Sequence, residues 1–131
     1  MKRIVVVAAV IEDKDNRIMC ALRSPSMSLP NYWEFPGGKV EEKENHEAAL
    51  IREIREELQV DIAVNEPIID VKHTYDDVEV HLYTYWCSIG SGKPRPREHA
   101  ELRWVLRNKL DELTWAPADI PTVEIIKEKK D

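Results

Sequence analysis

The run from Gly38 to Val60 constrains this chain more than any other part of it. A glycine pair, Gly37-Gly38, precedes Lys39-Val40-Glu41-Glu42-Lys43-Glu44, and seven residues later comes Arg52-Glu53-Ile54-Arg55-Glu56-Glu57-Leu58. Residues three and four apart share a helix face, so a helix here crowds Glu53, Glu56 and Glu57 together. Like charges at those spacings repel. Taken alone, such a run reads as a solvated helix face. A glycine turn and Glu44 at fixed distances before it favour a site that holds a cation. Oxygen ligands on a rigid element suit Mg²⁺, which takes a few carboxylates and completes its shell with water and substrate phosphate. The pattern points to metal-assisted phosphate chemistry.

The rest of the chain supplies a scaffold. Residues 3 to 12 are apolar and rich in β-branched side chains, which reads as a central strand. Asp13 to Asn16 is turn chemistry, and Arg17 to Arg23 is a second strand, expected to form a hairpin with the first. Ser24 to Asn31 is a loop, Trp33-Glu34-Phe35 is extended, and Pro36-Gly37-Gly38 is expected to break the chain. Asn45 is the expected N-cap of a helix from His46 to Leu58, with Ala48, Ile51, Ile54 and Leu58 as its buried stripe. Pro67 to Tyr75 and Val78 to Ser88 read as strands joined by a tight turn at Asp76-Asp77. Gly90 to Pro96 is a loop, Leu102 to Leu106 a strand, and Lys109 to Leu113 a helical turn. Pro121 suits the first turn of a last helix, running to about Lys129 with Val123, Ile125 and Ile126 on its apolar side. Strands interrupted by one helix and closed by another give an α+β or α/β sandwich.

Composition narrows the partners. A chain of 131 residues, 43% hydrophobic and 34% charged, suits one soluble domain with a real core. The net charge of −6 argues against a nucleic-acid polymer but not against a nucleotide, because bound metal reverses the local charge. The apolar run Ile4 to Ile11 is too short to span a bilayer and no cleavage site follows it. With no targeting or membrane segment visible, the expected location is cytoplasmic. Cys20 and Cys87 lack CxxC spacing and read as reduced core thiols.

Gly38, Glu44, Arg52-Glu53, Ile54, Glu56-Glu57 and Val60 reproduce at every spacing the signature of the Nudix hydrolases, and the chain resembles that family over nearly its whole length. Trp33 to Glu41 is similar to the MutT-like branch. Ala116-Pro117-Ala118-Asp119-Ile120-Pro121 resembles the branch that hydrolyses CTP and modified pyrimidine nucleotides. The resemblance implies a Nudix fold over residues 1–131, an α/β/α sandwich of a mixed sheet between helices. It implies Mg²⁺, with Mn²⁺ as a substitute, and attack of water on a nucleoside triphosphate to leave a monophosphate and pyrophosphate. One position departs: Gln59 stands where the signature has glycine. Gln59 is therefore expected either to adopt a strained left-handed conformation or to let the helix run on.

These readings assign roles. Glu53, Glu56 and Glu57 hold the metal, and Gly37 and Gly38 let the backbone approach the phosphates and free a carbonyl for it. Arg52 pairs with a carboxylate and orients it. Glu44 either caps the helix or takes part in catalysis. MutT-like enzymes carry a further metal-reaching carboxylate in the loop that here reads Pro96-Arg97-Glu98-His99, so the resemblance assigns that role to Glu98, with His99 and Glu101 as rivals. Lys39 and Arg23 flank the pocket and are expected to meet phosphate oxygens. Phe35 and Tyr75 are expected to stack on the base, whereas Trp33 and Trp115 read as core. Asp119, if ionised, is acceptor-only and suits the cytosine amino group or the donors of guanine; a helix cap is its alternative reading. His46, His73 and His81 read as surface or packing residues. CTP, dCTP or a modified pyrimidine nucleotide leads as substrate, and an oxidised guanine nucleotide is second. A non-catalytic nucleotide sensor is the alternative from another class. The chain is expected to be a monomer or homodimer.

Overall fold

The computed structural model describes residues 1–128. In chain order the elements are β1 (Lys2–Ile11), β2 (Arg17–Leu22), β3 (Trp33–Glu34), β4 (Gly37–Lys39), α1 (His46–Leu58), β5 (Asp61–Tyr75), β6 (Val78–Ser91), β7 (Glu101–Leu106) and α2 (Ile120–Glu128). Two 3₁₀ turns, Arg107–Glu112 and Pro117–Asp119, lead into α2. A four-stranded sheet runs β4-β1-β6-β5 and a three-stranded one runs β3-β2-β7. β1 is parallel to β6 and antiparallel to β4, so the larger sheet is mixed. With its flanking helices the fold is α+β. No described helix is long and apolar enough to cross a membrane.

Burial on both faces explains the apolar run from Val7 to Ile11, whereas Val5 is exposed. Val7, Ala9 and Ile11 join Leu50, Ile54 and Leu58 of α1 in one core cluster. Ala8 and Val10 join Ile18, Trp33 and Phe35, together with Val123 and Ile126 of α2, in another. Both edges of β1 are also occupied, which overturns the expected hairpin. The turn itself forms, with the Asp13 amide donating to the Arg17 carbonyl at 2.9 Å. The two strands then share one bridge, Glu12–Ile18, before β2 leaves for the smaller sheet.

The glycine pair does not break the chain either. Gly37 and Gly38 form β4, with Ala8 opposite Gly37 and Val7 opposite Gly38. A Cβ on Gly37 would collide with the Val7 carbonyl, and one on Gly38 with the Glu53 carboxylate. Glycine here serves close packing of strand on strand and strand on side chain rather than a turn.

Helix α1 has the expected bounds. Asn45 accepts the Ala48 amide at 2.7 Å and so caps it. Its buried stripe is Ala49, Leu50, Ile54 and Leu58; Ala48 is exposed and Ile51 only half-buried. The helix is thus rotated from the expected setting, by contacts that lie outside its own sequence. β5 begins earlier than expected, at Asp61, and register shifts on either side of Pro67 accommodate the missing amide. α2 buries Val123 and Ile126 with Ile125 half-buried, and the expected end at Lys129 lies outside the described residues.

Gln59 takes the left-handed conformation, φ 61° and ψ 34°, and its amide donates to the Arg55 carbonyl at 3.0 Å. The cap therefore forms without glycine, at the steric cost of a Cβ in that region. Gln59→Gly is expected to raise unfolding stability by about 1 kcal/mol, read as a higher midpoint in urea at unchanged slope. An unchanged or lower midpoint would show that no strain is stored there.

Candidate active site

β4, the inner face of α1 and the end of β5 enclose a cleft of about 820 Å³. Gly37, Gly38 and Lys39 line one wall, and Glu53 and Glu57 reach it from the helix. Arg23, Glu34, Phe35, Tyr75 and Asp119 complete the lining. Nine of the expected site residues meet there: the two glycines, Lys39, Glu53, Glu57, Arg23, Phe35, Tyr75 and Asp119. Glu56 and Glu98 do not line it. Glu56 is on the same helix but about half exposed, 3.5 Å from Arg52.

Arg52 organises the acidic side. Its Nε and Nη2 donate to the two carboxylate oxygens of Glu44 at 2.8 and 2.9 Å, a bidentate fork. Nη1 donates to Glu53 at 2.9 Å and Nη2 also reaches the Lys39 carbonyl at 3.1 Å. Glu44 in turn accepts the Glu41 amide at 3.0 Å. The Arg52 bonds, with help from that amide, pull the Glu44 carboxyl down to about 2. Helix capping falls to Asn45, so Glu44 is an anchor for Arg52 rather than a cap. Through one guanidinium, the loop before the helix, the glycine strand and Glu53 are fixed together.

Glu57 is left without such help. Its Oε1 is buried and has no hydrogen-bond partner among the described residues. Burial above all pushes its carboxyl up to about 7; the Glu53 and Glu34 charges add to this, and His99 and the Gly37 amide oppose it. Burial also raises Glu53, against the pull of Arg52. Among the described residues no three carboxylate, imidazole or thiol side chains converge into a ready-made cage. The donors nevertheless fit a hard divalent cation. Glu57, which carries an orphaned buried carboxylate oxygen, and Glu53 both line the cleft, which has room for water and phosphate to complete the shell.

A second chain of bonds beside the cleft has no signal in the sequence. His99 Nε2 lies 2.8 Å from Glu34 Oε2, and Glu34 Oε1 accepts from Arg23 Nη1 at 2.7 Å. Arg23 also donates through Nε to the Ser28 carbonyl and through Nη2 to Ser28 Oγ at 2.9 Å. Arg23 therefore grips the protein with all three nitrogens, which uses three of its five N–H donors at the cleft wall. Burial opposes charge on His99, but the Glu34 bond and the Glu34 and Glu57 charges together hold its pKa above the ordinary value. Glu98 is exposed, and it is its neighbour His99 that turns inward, with 1% of its side chain accessible. Glu101, the other rival, pairs on the surface with Arg103 at 2.8 Å.

The far end is aromatic and apolar with one acid. Tyr75 is half-buried, and its hydroxyl accepts the Ala118 amide at 2.9 Å. Phe35 is only 2% exposed and packs on Trp115 with ring centroids 4.7 Å apart, so most of its stacking surface is already used. Trp33 and Trp115 are core residues. Asp119 is 6% exposed, and its Oδ1 lies 3.5 Å from the Phe35 amide. That partner is in another element, which does not support the helix-cap reading. Burial, seconded by the Glu34 charge, drives the Asp119 pKa well above the carboxylate range, with the Phe35 amide and Arg23 opposing. Burial thus works against the ionised, acceptor-only form, and a protonated Asp119 would both donate and accept. Elsewhere, His46 bonds Tyr85 at 2.7 Å, His81 bonds Asp70 at 2.7 Å and His73 packs on Tyr75, as packing histidines do. Cys20 and Cys87 are free and buried.

Comparison with known proteins matches this geometry to one family. The family model described as NUDIX domain covers residues 7–124. The CTP pyrophosphohydrolase of Escherichia coli K12 is 37% identical over 124 residues, 95% of this chain and 91% of that protein. The 8-oxo-dGTP diphosphatase of Haemophilus influenzae is 32% identical over 120 residues, 90% of this chain and 88% of that protein. A solution structure of the Nudix hydrolase MutT from methicillin-resistant Staphylococcus aureus 252 superposes with a TM-score of 0.79 at 51% identity, covering 97% of this chain and 98% of that one. With its glycine strand, acidic helix and cleft in place, the chain belongs to the NUDIX domain family and is a Nudix hydrolase of the MutT-like kind.

Proposed function

We propose that this protein is a cytoplasmic, divalent-metal-dependent nucleoside triphosphate pyrophosphohydrolase, with CTP, dCTP or a modified pyrimidine nucleotide as its substrate. The observation that carries this reading is the buried, unpartnered Glu57 oxygen beside Glu53, on a helix locked to the glycine strand by Arg52. Glu53 and Glu57, with Glu56 swinging in from the surface, would hold Mg²⁺ or Mn²⁺. Bound there, the ion supplies counter-charge for phosphate oxygens and lowers the pKa of water. Arg52 orients Glu53 and opposes the upward pull of burial on its carboxyl. Lys39, exposed at the rim of the same wall, meets the phosphate tail as a mobile cation. Tyr75 and Asp119 position the base at the other end. Water attacking an inner phosphorus breaks the bridging P–O bond, so that nucleoside triphosphate and water give monophosphate and pyrophosphate.

The pyrimidine choice is supported by the Ala116 to Pro121 segment and by the relative named for CTP. An oxidised guanine nucleotide is the second reading, favoured by a protonated Asp119 that can serve an edge offering both a donor and an acceptor. A nucleotide sensor is disfavoured, because all three motif glutamates are present.

Phosphorus NMR of a reaction with CTP and Mg²⁺ is expected to show monophosphate and pyrophosphate appearing together, and Glu57→Gln to lower kcat by at least about 100-fold with the fold intact. Orthophosphate with nucleoside diphosphate as first products, or a Glu57→Gln enzyme near full rate, would refute the reading. Asp119 gives a second test through pH. An acid whose folded pKa is raised binds its proton more tightly when folded, so its contribution to stability is full below the ordinary value of 3.8 and is lost as pH rises. Asp119→Asn cannot ionise. Its melting temperature relative to wild type is therefore expected to climb steadily from acid to neutral pH. A difference independent of pH would place the charged form in the folded protein.

A further inference from the structure

The loop from Ser24 to Asn31 brings Met27, Ser28 and Leu29 to the cleft wall. Bonds within it, from the Met27 amide to the Ser24 carbonyl and between the Ser24 and Ser26 hydroxyls, shape the loop without tying it to the cleft wall. Leu29 and Asn31 both have positive φ, 50° and 69°, a region that disfavours residues with a side chain. Its tie to the body of the protein is Arg23, which grips Ser28 twice and Glu34 once. Glu34 cannot swing away, because its second oxygen is taken by His99. His99 is 1% accessible at its side chain, and its Nδ1 is buried without a partner among the described residues. A fully buried imidazole with one nitrogen unsatisfied is costly, and packing alone would be better served by an apolar side chain.

We propose that His99 and Glu34 are positioning residues: acting through Arg23, they hold the Ser24–Asn31 loop closed as a wall of the substrate cleft. The bonds run His99 to Glu34, Glu34 to Arg23, and Arg23 to Ser28. Each is short, at least one partner in each of the first two is charged, and none involves Glu53 or Glu57. The hydrogen-bonded device therefore acts on the loop wall that holds substrate, while the His99 and Glu34 charges are also felt at Glu57. A planar guanidinium is needed at position 23, because its fork serves Glu34 and Ser28 at once, whereas an ammonium is a single point donor. Only the kinetic half of the inference rests on the cleft being the nucleotide site; the loop half does not.

Amide hydrogen exchange in the metal-free protein tests the loop half. Two loop amides are bonded and serve as reporters, Met27 to the Ser24 carbonyl and Asn31 to the Arg23 carbonyl, each at 3.1 Å. His99→Leu removes the bond while filling the space, and exchange at Met27 and Asn31 is expected to quicken about tenfold or more relative to α1 amides. His99→Gln, whose amide can still donate to Glu34, is expected to stay within about threefold of wild type. Arg23→Lys should release the loop even with His99 in place, which keeps the test sharp if His99→Leu folds poorly. With CTP and Mg²⁺, His99→Leu is expected to raise KM about tenfold relative to His99→Gln, which loses the same imidazole charge beside Glu57 but keeps the bond to Glu34. Uniformly faster exchange with a lowered melting temperature, equal behaviour of the Leu and Gln variants, or an undisturbed loop in Arg23→Lys would each overturn the proposal. Wild-type protein that turns over no nucleotide would instead refute the proposed function, and the exchange data would still decide the loop.

Discussion

The fork of Arg52 on Glu44 is the interaction on which the site depends. Glu41, Glu44, Glu53 and Glu56 all lie within 3.8 Å of that guanidinium. Without it, an acidic loop would face an acidic helix in a chain that already carries a net charge of −6. Arginine suits the task better than lysine, because a planar fork engages two oxygens of one carboxylate and still reaches a second acid and a backbone carbonyl. The arrangement is also selective about which acids it neutralises. Glu44 is satisfied and Glu53 is oriented, whereas Glu57 remains buried with an open oxygen. Structural charge is compensated within the protein, while one buried carboxylate oxygen is left without a partner, and it is there that we propose a ligand binds.

That electrostatic arrangement stands on the central strand. β1 is buried on both faces from Val7 to Ile11, and β4 is pressed against its edge at Val6–Ala8 at a separation that excludes a Cβ at Gly37. The same closeness at Gly38 admits the Glu53 carboxylate against the backbone. One face of β1 anchors α1 through Leu50, Ile54 and Leu58, and this sets the height at which Glu53 and Glu57 meet the glycine wall. Core packing and site geometry are thus two consequences of one strand, and changes in its apolar residues should be felt in the cleft as well as in stability.

What the sequence made legible was local, or carried by a spaced motif. Helix α1 announced itself through Asn45 at one end and Leu58 at the other, and the carboxylate ladder followed from helical spacing. The strained cap at Gln59 was legible from residue type, since a side chain stands where a left-handed turn favours glycine. What escaped was non-local. The pairing of β4 with β1, and the parting of β2 from β1, depend on which edges other strands have claimed. The rotation of α1 that exposes Ala48 depends on the sheet beneath it. The inward turn of His99 in place of Glu98, and the partnership of Arg23 with Glu34 across 11 residues, have no periodic signal at all. The upward shift of the Asp119 pKa is a property of its burial, which residue type alone does not show.

The central claim is that the open oxygen of Glu57 and the Arg52-held Glu53 together receive a divalent cation. Anomalous diffraction from crystals soaked in Mn²⁺ measures this directly. The account predicts one ion in the cleft, bonded to the carboxylates of Glu53 and Glu57 at about 2.1 Å, with the bidentate Arg52–Glu44 pair unbroken. An ion bound elsewhere, or a cleft whose Glu57 oxygen stays without a ligand at saturating Mn²⁺, would contradict it.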